Sequence, residues 1–169
     1  MDKFIPLADV ESVLAILARI SLFGGTTDDQ LKSILCRLHA GIVKQGEYVF
    51  RTGEEPQYIY ILKRGRLDLL LCEGHVSLGV HELGVGECFG EASIISMHRH
   101  TASAVAKEES EVLVLSRRAL IELRHEDIQL FALLMMNIAR DLARRLYSTD
   151  EMLLHYLKNN GGGASAPAV

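Results

Sequence analysis

Residues 84–106 read GVGECFGEASIISMHRHTASAVA, and the rest of the chain is best understood as a frame for this stretch. Its centre, Phe89-Gly90-Glu91-Ala92-Ser93, sets a glycine and a carboxylate where an extended run gives way to a short apolar turn. A helix starting there exposes backbone N–H groups that lack intrahelical partners and carry partial positive charge, so it attracts an anion. Gly90 leaves room for a ligand to approach the backbone. A carboxylate beside an anion site is unfavourable unless the ligand also brings a donor, and Glu91 can accept a hydrogen bond from a hydroxyl. A phosphate next to a sugar hydroxyl meets both demands. Nine residues after Glu91, His100-Thr101-Ala102-Ser103 is placed to close over the same phosphate from the far side of the loop.

This stretch resembles the phosphate-binding cassette of the cyclic nucleotide-binding domain family, in which FGE is followed by a small or apolar residue, a short helix and then Arg-(Ser/Thr/Ala)-Ala. Phe89, Gly90, Glu91, Ala92, Thr101 and Ala102 fit that pattern, with Ser93 beside them. The resemblance implies that Glu91 binds a ribose hydroxyl and that the arginine position binds the cyclic phosphate. Here His100 holds the arginine position and Arg99 stands one place early. Imidazole offers fewer donors than a guanidinium and is mostly neutral at pH 7, its ordinary pKa being about 6.5. Three readings follow: His100 is protonated against the phosphate, Arg99 turns in to replace the missing arginine, or the pocket has lost its ligand. On the first, affinity rises as the pH falls from about 8 to 6.

The order of the remaining elements agrees with this family. From Ile42 the chain is punctuated by Gly46, Gly53, Gly65, Gly74, Gly79, Gly84 and Gly86, with short segments rich in Val, Ile, Tyr and Leu between them. Tyr58, Tyr60 and Leu62 alternate against Ile59 and Ile61, the period of a strand. Many short strands with glycine turns give a mainly β architecture, a β-roll or jelly-roll barrel. Before it, Leu7, Val10, Leu14, Leu17 and Ile20 form a helical stripe, and Thr27 or Asp28 caps a second helix that ends near Gly41. Ser103 to Ala106 and Glu111 to Leu115 are the last strands, and Ser116 caps a short helix through Leu123. A long helix then runs from about Asp127 to Leu157, with Phe131, Met135, Ile138, Leu142, Thr149, Met152 and Tyr156 near heptad spacing and Arg145 interrupting the seam. Arg140, Arg144 and Arg145 give this helix a basic face, read as solvated or paired with Asp141. A helix this long outreaches a small barrel, and a homodimer through paired helices is expected. The predicted layout is an N-terminal helical segment over 1–41, a β-roll over 42–115 with the cassette at 89–103, C-terminal helices over 116–157 and a flexible tail over 158–169, where GGGASAPAV is low-complexity.

The phrase Ala143 to Glu151, ARRLYSTDE, resembles the long helix of the family's transcription activators. There a threonine and the serine after it contact the base, one from each subunit. Thr149 matches the threonine, and Asp150 departs from the serine.

Composition narrows the class further. With 169 residues, 49% hydrophobic and 24% charged, the chain is long and apolar enough for one globular core, so disorder is not the default. A formal net charge of -4 argues against a general nucleic-acid binder. Cys36, Cys72 and Cys88 are odd in number and lack paired metal spacing, which disfavours a disulfide framework or a zinc site and fits the cytoplasm. The start shows no secretory pattern, and the longest apolar run, broken by Asn137, is too short to cross a bilayer. His75, His81, His98 and His125 are scattered, with no metal-ligand spacing among them. No nucleophile elbow or phosphate loop of the nucleotide hydrolases is present. The sequence therefore predicts a non-enzymatic, cytoplasmic sensor without metal or cofactor, binding a cyclic nucleotide, cyclic AMP in the first instance, and passing the signal to a protein effector with no direct nucleic-acid or membrane contact. The alternatives are a binding-incompetent relative serving as a dimerisation or interaction module, and the sensory half of a longer transcription regulator.

Overall fold

The structure is a computed structural model and describes residues 4–7, 13–14, 17, 20–73 and 76–160. Its strands are β1 (Ile5–Pro6), β2 (Leu38–Val43), β3 (Tyr48–Phe50), β4 (Tyr58–Arg64), β5 (Leu67–Glu73), β6 (Val76–Leu83), β7 (Cys88–Phe89), β8 (Ser103–Ala106) and β9 (Ser110–Ser116). The helices are α1 (Asp28–Leu35), α2 (Glu91–Ser96), α3 (Arg117–Glu126) and α4 (Ile128–Asn160), with a 3-10 turn at Ser21–Phe23. Two antiparallel sheets, ordered β1-β2-β9-β4-β7 and β3-β8-β5-β6, form the expected β-roll with helices flanking it.

Alternation along β4 and β9 organises the interior, because successive side chains of a strand point to opposite faces. The two strands pair with Ile59 opposite Leu115 and Ile61 opposite Leu113, and these four residues are buried in one core with Leu120 and Leu123 of α3 and Leu130, Leu134 and Ile138 of α4. The intervening residues Tyr60, Leu62, Val112 and Val114 face a second core inside the roll, with Phe50, Leu67, Leu83 and Phe89. One sheet thus serves as the shared wall of both cores, which is why β4 is apolar on both faces.

The helix ends follow their caps. The Thr27 hydroxyl accepts from the Gln30 amide while the Gln30 side chain accepts from the Thr27 amide, a reciprocal cap on α1. Ser116 caps α3 through the Ala119 amide. Asn137, the polar break in the apolar run, is buried and donates to the carbonyls of Leu22 and Gly24, so it ties α4 to the 3-10 turn.

The N-terminal segment, expected to be helical over 1–41, also carries strand. The stripe predicted over 7–21 lies partly outside the described residues; within them, residues 13–14 and 17 are helical, and Val13 and Leu17 are fully buried. Ile5–Pro6 is a strand paired with Ala40 and His39. α1 stops at Leu35 and β2 has begun by Leu38, ahead of Gly41, because residues 38–43 pair along their whole length with β9. Register with a distant strand decides this, and a local cap signal carries no trace of it. Residues 161–169 of the predicted tail lie outside the described residues.

Candidate functional site

The cassette leaves the roll at β7. Gly90 follows with φ +80°, a left-handed conformation, and a Cβ there would stand 2.9 Å from the Tyr60 ring and 3.2 Å from the Tyr58 carbonyl oxygen. The glycine is thus required by backbone conformation and by packing on Tyr60, a reason independent of ligand approach. Phe89, predicted in the ligand site, is completely buried and stacks on Tyr60 with centroids 5.2 Å apart, so its side chain belongs to the wall behind the cassette. α2 then carries Glu91 inward, Ala92 outward and Ser93 half-exposed.

Glu91 is 2% exposed. Its Oε1 accepts from Arg145 Nη1 of α4 at 2.8 Å, whereas Oε2 is buried with no hydrogen-bond partner. The other terminal nitrogen of Arg145, Nη2, donates to the Cys88 carbonyl at 2.5 Å. Burial raises the pKa of Glu91 above the ordinary carboxylate value, and the Arg145 charge opposes the rise. The same burial raises the Cys88 thiol, which is therefore inert. A carboxylate with one oxygen held by a cation and the other unsatisfied is arranged to accept a hydrogen bond from a donor group, as a hydroxyl would supply.

The far side of the loop is anchored by residues 50–55. The His100 amide donates to the Glu54 carbonyl, and the Gly53 amide donates to the His100 carbonyl. The His100 ring is 3% exposed and stacks on Phe50 with centroids 3.8 Å apart. Burial lowers its pKa below 6.5, the direction opposite to that expected for an imidazolium on a phosphate. Arg99 donates to the Gly53 carbonyl at 2.8 Å and pairs with Glu55 at 2.9 Å, so it is engaged with the neighbouring loop. Thr101 is exposed and Ala102 half-buried, while the Ser103 hydroxyl is buried and accepts from the Thr52 amide at 2.9 Å.

Thr149 and Asp150 lie on an exposed part of α4. The Thr149 hydroxyl donates to the Arg145 carbonyl at 2.9 Å, one helical turn after the residue that bonds Glu91 of the cassette. Arg145 is the site residue that sequence reasoning misses, because the sequence groups it with Arg140 and Arg144 on a solvated or Asp141-paired face. That reading holds for Arg144, which pairs with Asp141, and Asp141 also accepts from Ser21, whereas Arg140 donates to Asn137. The available signal is the arginine that breaks the α4 seam, taken together with a cassette carboxylate that lacks a cation. Among the described residues no group of three or more His, Cys, Asp or Glu side chains is placed to hold a metal, and no helix is long and apolar enough to cross a membrane.

Comparison with known proteins supplies the family context. The family model for the cyclic nucleotide-binding domain matches residues 42–127. The cyclic AMP receptor protein of Thermus thermophilus is 33% identical over 134 residues, a match covering 76% of this chain and 58% of that protein. The cyclic nucleotide-gated channel alpha-4 of Mus musculus is 30% identical over 119 residues, covering 67% of this chain and 20% of the channel protein. This chain thus spans less than two thirds of either relative. Among solved structures, the Thermus thermophilus catabolite activator protein superposes with a TM-score of 0.70 at 29% identity, over 85% of this chain and 73% of that one. A cyclic nucleotide-binding domain from Methylobacillus flagellatus reaches a TM-score of 0.78 at 20% identity, over 92% and 86% of the two chains, a likeness of fold.

Proposed function

This chain belongs to the cyclic nucleotide-binding domain family, and on that footing we propose that it is a sensor for a cyclic purine nucleotide, taken as cyclic AMP from the receptor it is similar to. The observation that carries the reading is the buried, unpartnered Oε2 of Glu91. A ribose hydroxyl donating to that oxygen completes the coordination that Arg145 begins on Oε1. The phosphate is held by main-chain amides at the start of α2 and by the Thr101 region. With His100 stacked on Phe50 and Arg99 paired with Glu55, no guanidinium is committed to it. Affinity is then weaker, by roughly 10- to 100-fold, than with an arginine at position 100, the equivalent of one charge-assisted hydrogen bond of about 1.5 to 3 kcal/mol. Thr149 meets the base, and α4 carries the signal. Beyond Arg145, Leu146, Met152, Tyr156 and Leu157 are each more than half exposed, which supports a homodimer through this part of the helix. The protein is a regulatory module and not an enzyme, as its relatives are receptors and channels.

Titration calorimetry with cyclic AMP and cyclic GMP tests the reading. Saturable binding that Glu91→Ala weakens at least tenfold is expected. Absence of heat, and of any shift in melting temperature at millimolar nucleotide, would leave the second reading, a paired-helix module without a ligand. That reading is favoured by one observation: His100 and Arg99, the two side chains at the phosphate position, are both occupied within the protein.

A further inference from the structure

The short helix that begins with Glu91 ends on an anomaly. Met97, its C-terminal cap, has φ +55°, a left-handed conformation that favours glycine or asparagine and strains a long side chain. Its side chain is not repaid by burial, since Met97 is 78% exposed. Beside it, Ile95 is 44% and Ile121 52% exposed, and a trough of about 440 Å³ runs between α2, α3 and α4, floored also by Phe131 and Met135. Along α3 the residues facing the trough are Arg117, Leu120, Ile121 and Arg124, spaced i, i+3, i+4 and i+7, so they share one face with an arginine at each end. The two arginines stand about 10 Å apart along the axis. Neither is in an ion pair among the described residues, whereas Arg118, on the next face, pairs with Glu122.

We propose that this trough is a docking site for an amphipathic helix of a partner protein, with an apolar stripe on the Ile95, Met97 and Ile121 surface and carboxylates about two turns apart meeting Arg117 and Arg124. Charge complementarity selects this occupant: an apolar floor bracketed by two unpaired guanidinium groups matches a helix bracketed by acids at the same spacing. A second copy of the chain is disfavoured because most of the exposed apolar surface of α4, from Leu146 to Leu157, lies beyond Arg145, away from these residues. Docking stands without nucleotide. Its regulation rests on the proposed nucleotide reading, because Glu91 and Met97 are the first residue and the cap of one six-residue helix, so that a ligand on the former shifts the trough floor at the latter.

The test uses the full chain and a fluorescein-labelled helical peptide of about 18 residues, long enough to hold a helix, with Leu and Ile at i, i+3 and i+4 and Glu residues seven apart. Saturable anisotropy binding without nucleotide is expected, weakened at least tenfold by Arg117→Glu with Arg124→Glu and restored when the peptide glutamates are exchanged for lysines. Met97→Gly is expected to raise the melting temperature while weakening the peptide, a pairing that a purely structural Met97 does not produce. Several results overturn the assignment: no saturable binding, binding indifferent to the charge reversal, a sedimentation mass that the reversal lowers, which assigns the trough to a second copy, or capture by phosphatidylcholine vesicles containing phosphatidylserine that the reversal abolishes, which assigns it to a lipid surface. If the peptide binds but cyclic AMP does not alter its affinity, docking holds and only the coupling fails.

Discussion

Arg145 Nη1 lies 2.8 Å from Glu91 Oε1 and so joins the long C-terminal helix to the cassette across 54 positions of sequence. Removing the cation leaves a carboxylate that is 2% exposed without its charge partner. Arg145→Met is expected to destabilise the fold by about 1 to 3 kcal/mol, a moderate figure because the arginine itself is partly solvated. Adding Glu91→Gln should recover part of that loss. Urea denaturation of the two single variants and the double variant measures the coupling, and simple additivity would show that the pair does not bind helix to cassette.

Buried titratable groups give two pH dependences of opposite sign. Burial raises the folded pKa of Glu91, so its contribution to stability is fully present below about pH 4.5 and is lost as the pH rises through the folded value. Burial lowers the folded pKa of His100, so its contribution is present above about pH 6.5 and is lost as the pH falls through the folded value. Replacing His100 by Gln should flatten the decline in stability between pH 7 and 5, as followed by urea midpoints at several pH values. An unchanged slope would mean that His100 titrates as freely folded as unfolded.

Nucleotide affinity should likewise be nearly constant from pH 8 to 7, since an imidazole stacked on Phe50 with a lowered pKa gains little charge in that window. Calorimetry at those two values checks this. A severalfold gain at pH 7 would restore the protonated His100 to the phosphate.

Three glycine positions should rank by what a methyl group meets. At Gly65 a Cβ would fall 2.8 Å from the Ser110 Cα, with φ +96°, so Gly65→Ala combines strain with a backbone clash. At Gly90 the φ is +80° and the near atom is the Tyr60 ring at 2.9 Å. At Gly53 the φ is +86° and nothing lies within 4 Å. The expected order of destabilisation is Gly65→Ala, then Gly90→Ala, then Gly53→Ala, the last costing about 1 to 2 kcal/mol from conformation alone. Thermal melts of the three variants give the ranking.

Asn137→Ala should cost about 1 to 3 kcal/mol, because two carbonyl groups, of Leu22 and Gly24, lose the amide that reaches them. Asn137→Asp should be at least as harmful, since a carboxylate cannot donate to either. Urea midpoints of the two variants check both.

How much of the fold is legible in the sequence follows from how far each signal reaches. The β-roll, the cap at Ser116 and the ends of β8 are written in local alternation and side-chain chemistry and stand where the sequence puts them, and of the two caps the sequence offers for α1, Thr27 or Asp28, it is Thr27 that caps. The start of β2 is misplaced by sequence reasoning because its partner β9 lies some 70 residues on, and pairing at that range leaves no mark near Gly41. In the candidate site, Glu91 is found from its neighbours, but the reason for Gly90 lies in the Tyr60 ring and the position of His100 lies in Phe50. Arg145 shows the same limit: the helix pattern marks it as an exception, and only the packing of α4 on the cassette reveals to what.

The strands with one face toward each interior have a final consequence for how the molecule comes apart. Ile59 and Ile61 cannot leave the helices without also withdrawing Tyr60 and Leu62 from the roll, so neither half has a melting point of its own. Heating should give a single calorimetric transition, and lesions as far apart as Leu123 and Phe50 should lower the same temperature.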